Sequence, residues 1–90
     1  MSELLERYRN KEVVLDTDAS FSYVGRLMEW DDRHLEIESL TVYDARIIKV
    51  SLEEFLVECR RNGLCDSRGN TLIARNRILA ISLFDDVVVP

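Results

Sequence analysis

Ninety residues carry a formal net charge of −5, with 47% hydrophobic residues, three glycines and one proline. That length holds one domain, spanning 1–90, and that composition belongs to a folded chain rather than a disordered one. The acidic balance excludes a broad basic field of the kind that drives dedicated nucleic-acid binding, while leaving room for a local basic patch.

Residues 2–9, SELLERYR, predict one short helix. Ser2 caps it, and Leu4, Leu5 and Tyr8 share a face. A helix of this length is unstable alone, so it must dock on something. From Lys11 the period changes to two. In KEVVLDTD, Val13 and Leu15 point one way and Glu12, Val14 and Asp16 the other. A polar turn over 16–20 leads into FSYVGRLMEW, where Phe21, Tyr23, Gly25 and Leu27 alternate with Ser22, Val24, Arg26 and Met28. A glycine inside such a strand marks a bend or a close backbone approach, and a bent strand can serve two sheets at once. Asp31-Asp32-Arg33 is a tight polar turn. Leu35, Ile37, Leu40 and Val42 continue as a third strand, with a phase change near Ser39 that predicts a bulge.

Residues 51–62 predict a helix. Ser51 and Glu54 form a capping box, and Leu52, Phe55, Leu56 and Cys59 make one apolar stripe. Glu53 and Glu54 sit in the first turn and Arg60 and Arg61 in the last, matching the helix dipole. Gly63 stands where a left-handed cap is wanted, with Leu64 covering the last turn. After a loop over 65–70, strands follow at 71–75 and 78–83. Asp85-Asp86 ends the pattern, and Val87-Val88-Val89-Pro90 is an apolar tail.

The fold class expected is mainly β: a small, strongly bent, five-stranded antiparallel barrel. It has an N-terminal helix and a second helix inserted between strands 3 and 4. Its last two strands leave edges that neighbouring copies can pair.

Taken together, YVGRLMEWDDRHLEI and IARNRILAIS resemble the two halves of the Sm-like (LSm and Hfq) family pattern. In the first half the glycine, the hydrophobe, the aromatic and the aspartate are Gly25, Leu27, Trp30 and Asp31, followed by Leu35 and Ile37. In the second half Ile73, Ile78 and Ile81 hold the three hydrophobic places. The helix at 51–62 would occupy the family's variable loop. Arg68-Gly69 mimics the family's Arg-Gly pair, but Arg75 would then fall where a buried hydrophobe is required. Counting from Ala74 satisfies the pattern, so Ala74 stands in the arginine position and Arg75 in the glycine position.

The resemblance implies a ring of identical subunits joined through strands 4 and 5, with RNA as a candidate partner. Family members that bind RNA hold a base between the turn after the aspartate and the Arg-Gly turn. At the stacking and base-reading positions this chain has Arg33 and Leu35. Leucine has neither donor nor acceptor, so the uridine-reading device is expected to be absent. A different surface built from Arg33, His34, Arg75 and Arg77 is the candidate nucleic-acid site, with Arg33 or His34 stacking on a base. The plainer reading makes Arg75 and Arg77 a solvated hairpin tip, or ion pairs of Asp31 and Asp32.

Asp31-Asp32 and Asp85-Asp86 read as turn formers rather than metal or acid–base pairs. His34, the single histidine, has no nucleophile motif to serve. With no phosphate loop, dinucleotide fingerprint or metal spacing, neither an enzyme nor a cofactor is expected. Trp30 and Tyr23 read as core. Cys59 and Cys65 form neither a zinc pattern nor a disulfide framework, and Cys59 reads as core filler. The start MSELLERYRN is too charged for a signal peptide and no apolar run has the length of a membrane span, so a cytoplasmic location is expected. The competing function is an acidic protein-assembly scaffold without nucleic acid, using the extra helix as a docking surface.

Overall fold

The computed structural model describes residues 4–63 and 68–89. A 3-10 helix, η1 (Leu4–Tyr8), precedes β1 (Glu12–Thr17), β2 (Phe21–Trp30) and β3 (His34–Asp44). Helix α1 (Leu52–Asn62) follows, then β4 (Thr71–Ala74), a 3-10 turn η2 (Arg75–Arg77), β5 (Ile78–Leu83) and a last 3-10 turn η3 (Phe84–Asp86). The five strands form one antiparallel sheet in the order β4-β3-β2-β1-β5.

Strands at opposite ends of that order are joined by η2 alone. Four residue steps from Ala74 to Ile78 span at most about 14 Å. The sheet must therefore curl until its two edges almost meet, which makes it a barrel open between β4 and β5. The curl is built at one place. Val24 faces Thr41 and Arg26 faces Glu38, so Gly25 opposes two residues, Ser39 and Leu40. That extra residue is a β-bulge, and Ser39 adopts a φ of 58° to make it. A side chain on Gly25 would collide with Ile37 Cγ2 and lie 3.0 Å from the Glu38 carbonyl oxygen. Glycine is needed there for space rather than for its φ.

Curling gives the strands two buried faces. Inside lie Val13, Leu15, Leu27, Leu35, Ile37, Leu40 and Ile73, with Tyr23, Trp30, Ile78 and Ile81 packed against them. Outside lie Val14 and Val24, covered by Leu56 and Cys59 of α1 and by Phe84. Val14, which alternation assigns to the polar side of β1, is buried because α1 lies over that side. Removing each such aliphatic side chain from water contributes about 1.5–3 kcal/mol.

Helix α1 forms for the reasons its sequence predicts. The Ser51 hydroxyl accepts a hydrogen bond from the Glu54 amide at 3.2 Å and lies 3.5 Å from the Glu54 carboxylate. Its apolar stripe buries on the chain's own sheet, with the Phe55 ring 5.2 Å from that of Tyr43. Arg60 ties the C-terminal end to Asp85 at 2.9 Å. The Gly63 amide donates to the Cys59 carbonyl, and Gly63 adopts φ 86°, ψ 161°. That φ is positive as expected, but the ψ is extended rather than left-handed helical, a combination open to glycine almost alone. The expectations for Ser2, Leu64, Cys65 and Pro90 lie outside the described residues.

The N-terminal element is a 3-10 helix of five residues. Leu5 and Tyr8 pack on the inner core while Leu4 is 72% exposed, so the three do not share one buried face. The tighter 3-10 winding brings i and i+3 into line and turns Leu4 outward. Asn10, at φ 64°, ends this turn and lets its amide bond the Leu27 carbonyl at 2.7 Å. Strand β1 continues through Asp16 and Thr17, two residues expected in a turn, because both pair with β5. Arg75, expected in the fourth strand, instead opens η2.

Two substitutions probe this architecture by urea denaturation. Gly25→Ala should destabilise by about 1–3 kcal/mol through overpacking against a β-branched side chain and a backbone carbonyl. Gly63→Ala meets no atom within 4 Å. Its loss, about 1–3 kcal/mol, should come from backbone strain alone and leave the helix docked. A neutral Gly25→Ala would mean that the sheet is not held by that close approach.

Candidate nucleic-acid interface

The β2–β3 turn and η2 lie side by side at one end of the barrel. His34 pairs with Ala74 in the β3–β4 ladder, and the Arg75 amide donates to the Arg33 carbonyl at 2.8 Å. The Arg75 guanidinium then donates to the Asp31 carbonyl oxygen at 2.7 Å. These bonds hold two chemically rich turns in register without either belonging to a regular strand.

Asp31 is committed to the turn itself. One carboxylate oxygen accepts from the amides of Arg33 at 2.8 Å and His34 at 2.6 Å. Those two amides hold the Asp31 carboxyl below the ordinary aspartate range, with His34 Nδ1 at 3.6 Å adding to the effect. The role of Asp31 as a turn former therefore has a definite cause.

Between the turns opens a cleft of about 470 Å³ lined by Asp32, Arg33, His34, Ala74 and Asn76. Leu35 is buried in the core and offers the cleft nothing. Of the residues expected at the site, Arg33 and His34 line the cleft and Arg75 bonds the turn that carries them. Arg77 does not join them. Its guanidinium pairs with Asp18 at 3.3 Å and lines a separate cleft with Phe21, Tyr23 and Arg68. The expected pairing of Arg77 with Asp31 or Asp32 is replaced because the β1–β2 turn folds against η2, where the Asp18 amide donates to the Arg77 carbonyl.

Asn76 carries no motif that marks it in the sequence. Counting from Ala74 sets its turn opposite Arg33, and Asn76 is the uncharged polar residue of that turn, so the signal lies in the register. Asp32 is expected as a turn former, yet the turn's side-chain hydrogen bonds are made by Asp31, and Asp32 lines the cleft. Among the described residues no cluster of His, Cys, Asp and Glu has the geometry to hold a metal, and no helix is long and apolar enough to cross a membrane.

Because its folded pKa is depressed, the Asp31 carboxylate stabilises the turn fully above the unfolded value of about 3.9. That contribution is lost as pH falls through the lower, folded value. An NMR titration should find the Asp31 carboxyl titrating below the ordinary aspartate value, with the Arg33 and His34 amide resonances moving at the same midpoint. A midpoint at or above that value would break the assigned hydrogen bonds.

No protein-family model matches this sequence, and no curated protein matches it. The similarity lies in three dimensions. The Pyrococcus abyssii Sm protein, solved in complex with a uridine heptamer, superposes with a TM-score of 0.61 at 18% identity, covering 89% of this chain and 92% of that one. A chain of the NatC complex bound to CoA superposes with a TM-score of 0.58 at 13% identity, covering 92% and 88% respectively. The bent five-stranded sheet with its short N-terminal helix is thus an Sm-like fold.

Proposed function

We propose that this protein is an Sm-like subunit that closes into a ring of identical copies and binds RNA in the cleft between the β2–β3 turn and η2. The observation that carries the reading is the meeting of Arg33 and His34 at that cleft, in a turn bonded to Arg75, on a fold similar to a protein solved with a uridine heptamer. Arg33 is exposed beside the cleft, and its guanidinium suits a phosphate or the face of a base. In a ring the same arginines recur on every subunit, so their fields add along the axis and offset the acidic net charge.

The ring reading rests on the edges. β4 pairs with β3 and β5 with β1, which leaves the far side of each open to another strand. Leu72 on β4 is 65% exposed and Leu79 on β5 is 71% exposed. Open edges carrying leucines invite a strand from a second copy, and a closed ring satisfies both edges of every subunit.

Light scattering should return a multiple of the 10.5 kDa subunit mass at micromolar concentration, and Leu79→Asp should shift it toward the monomer. A strict monomer would refute the ring. Fluorescence anisotropy with a short single-stranded RNA should give affinity that falls with salt. Arg33→Ala should weaken binding and flatten the log–log salt slope by about 0.7 for each phosphate no longer neutralised. Absence of binding at low salt would leave the acidic scaffold reading in its place.

A further inference from the structure

We propose that the cleft selects guanine, through Asp32 and Asn76 together. Guanine selection rests on the RNA reading of the same site and adds the identity of the base.

A cleft built only to hold phosphate would exclude negative charge, yet Asp32 lines this one beside Arg33. Asp32 is not needed by the fold. Asp31 makes the turn's hydrogen bonds, and the Asp32 side chain has no hydrogen-bond or ion-pair partner among the described residues. Asn76, across the cleft on η2, likewise has an amide without a partner there. The site thus presents an acceptor-only group on one turn and a donor–acceptor group on the other.

An ionised carboxylate has two oxygens side by side, both acceptors. Uracil offers it one N–H flanked by carbonyls. Cytosine and adenine each offer an amino group next to a ring acceptor. In all three, one carboxylate oxygen would face another acceptor. Guanine alone presents two adjacent donors, N1–H and the N2 amino group, which match a carboxylate in parallel. Its opposite edge carries the O6 and N7 acceptors, which an amide NH2 or a guanidinium satisfies. Asp32 therefore suits the donor edge, Asn76 suits O6 or N7, and Arg33 or His34 supplies the stacking face. A volume of about 470 Å³ accommodates a purine, within the range of about 300–1,000 Å³ usual for small-molecule sites.

The test uses the full-length protein and three short alternating RNA oligonucleotides: uridine–guanosine, uridine–inosine and uridine–cytidine. Inosine keeps O6, N7 and N1–H and lacks only the N2 amino group. In anisotropy titrations the guanosine oligonucleotide should bind about ten-fold more tightly than the inosine and cytidine ones. Asp32→Asn should abolish that preference, since an amide places a donor or a single acceptor where two acceptors are needed. Equal affinity for guanosine and inosine in the wild-type protein, or full preference surviving in Asp32→Asn, would overturn guanine selection and leave RNA binding standing. Failure of all three oligonucleotides to bind at low salt would overturn the RNA reading, and guanine selection with it.

Discussion

The close approach of β2 to β3 at Gly25 is the constraint on which the rest of the molecule depends. With Ile37 Cγ2 and the Glu38 carbonyl where a side chain would sit, the β2 backbone lies directly against β3. The bulge at Ser39 puts one more residue on the far strand than on the near one at the same level. One strand thus becomes longer than its partner at that level, and the sheet has to curl. Curling sends Val13 and Leu15 to the inside and Val14 and Val24 to the outside. A short sheet thereby acquires two apolar layers, and the outer one creates the need for α1. For a ninety-residue chain, whose single core would be thin, that second layer is a substantial share of the burial.

The same curl makes the candidate site. A flat sheet in the order β4-β3-β2-β1-β5 would hold β4 and β5 four strands apart, beyond the reach of a three-residue turn. Once the edges are brought round, η2 crosses the barrel end and lies against the β2–β3 turn. The Arg75 amide and guanidinium then reach the Arg33 and Asp31 carbonyls. These bonds use backbone acceptors and so free the side chains of Asp32, Arg33 and Asn76 to face outward. The site is a consequence of topology first and of residue choice second.

What the sequence makes legible is whatever acts within a few residues. The Ser51 cap, the dipole-matched ends of α1, the positive φ at Gly63, the bend at Gly25 and the phase change at Ser39 all leave local marks. The burial of Val14 does not, because alternation reports two faces and cannot tell that a distant helix covers the second. Arg77 illustrates a different limit. Its partner Asp18 lies in another turn, and only the folded chain brings the two together. Arg33 and His34 are legible as cleft residues because the register from Gly25 to Leu35 counts outward from a recognisable pattern. Asn76 and Asp32 are hidden because one stands between two arginines and the other beside an aspartate that does the turn's work.

The fold partitions the charge of the chain. Glu53, Glu54, Glu58 and Asp85 belong to the layer formed by α1 and η3 on the outside of the curl. The cleft lies at the barrel end, where the turns meet. Exposed charges more than about 8–10 Å apart are largely screened at physiological ionic strength, so net charge is a poor guide to the field at one mouth. Near the cleft, the Asp31 carboxylate is occupied by two backbone amides and the Arg77 guanidinium is drawn away by Asp18. What remains facing the opening is one guanidinium, one imidazole, one amide and one carboxylate. Such a set is too balanced to bind phosphate by charge alone. If RNA enters it as proposed, a mouth so nearly neutral would discriminate bases more sharply than it attracts backbones.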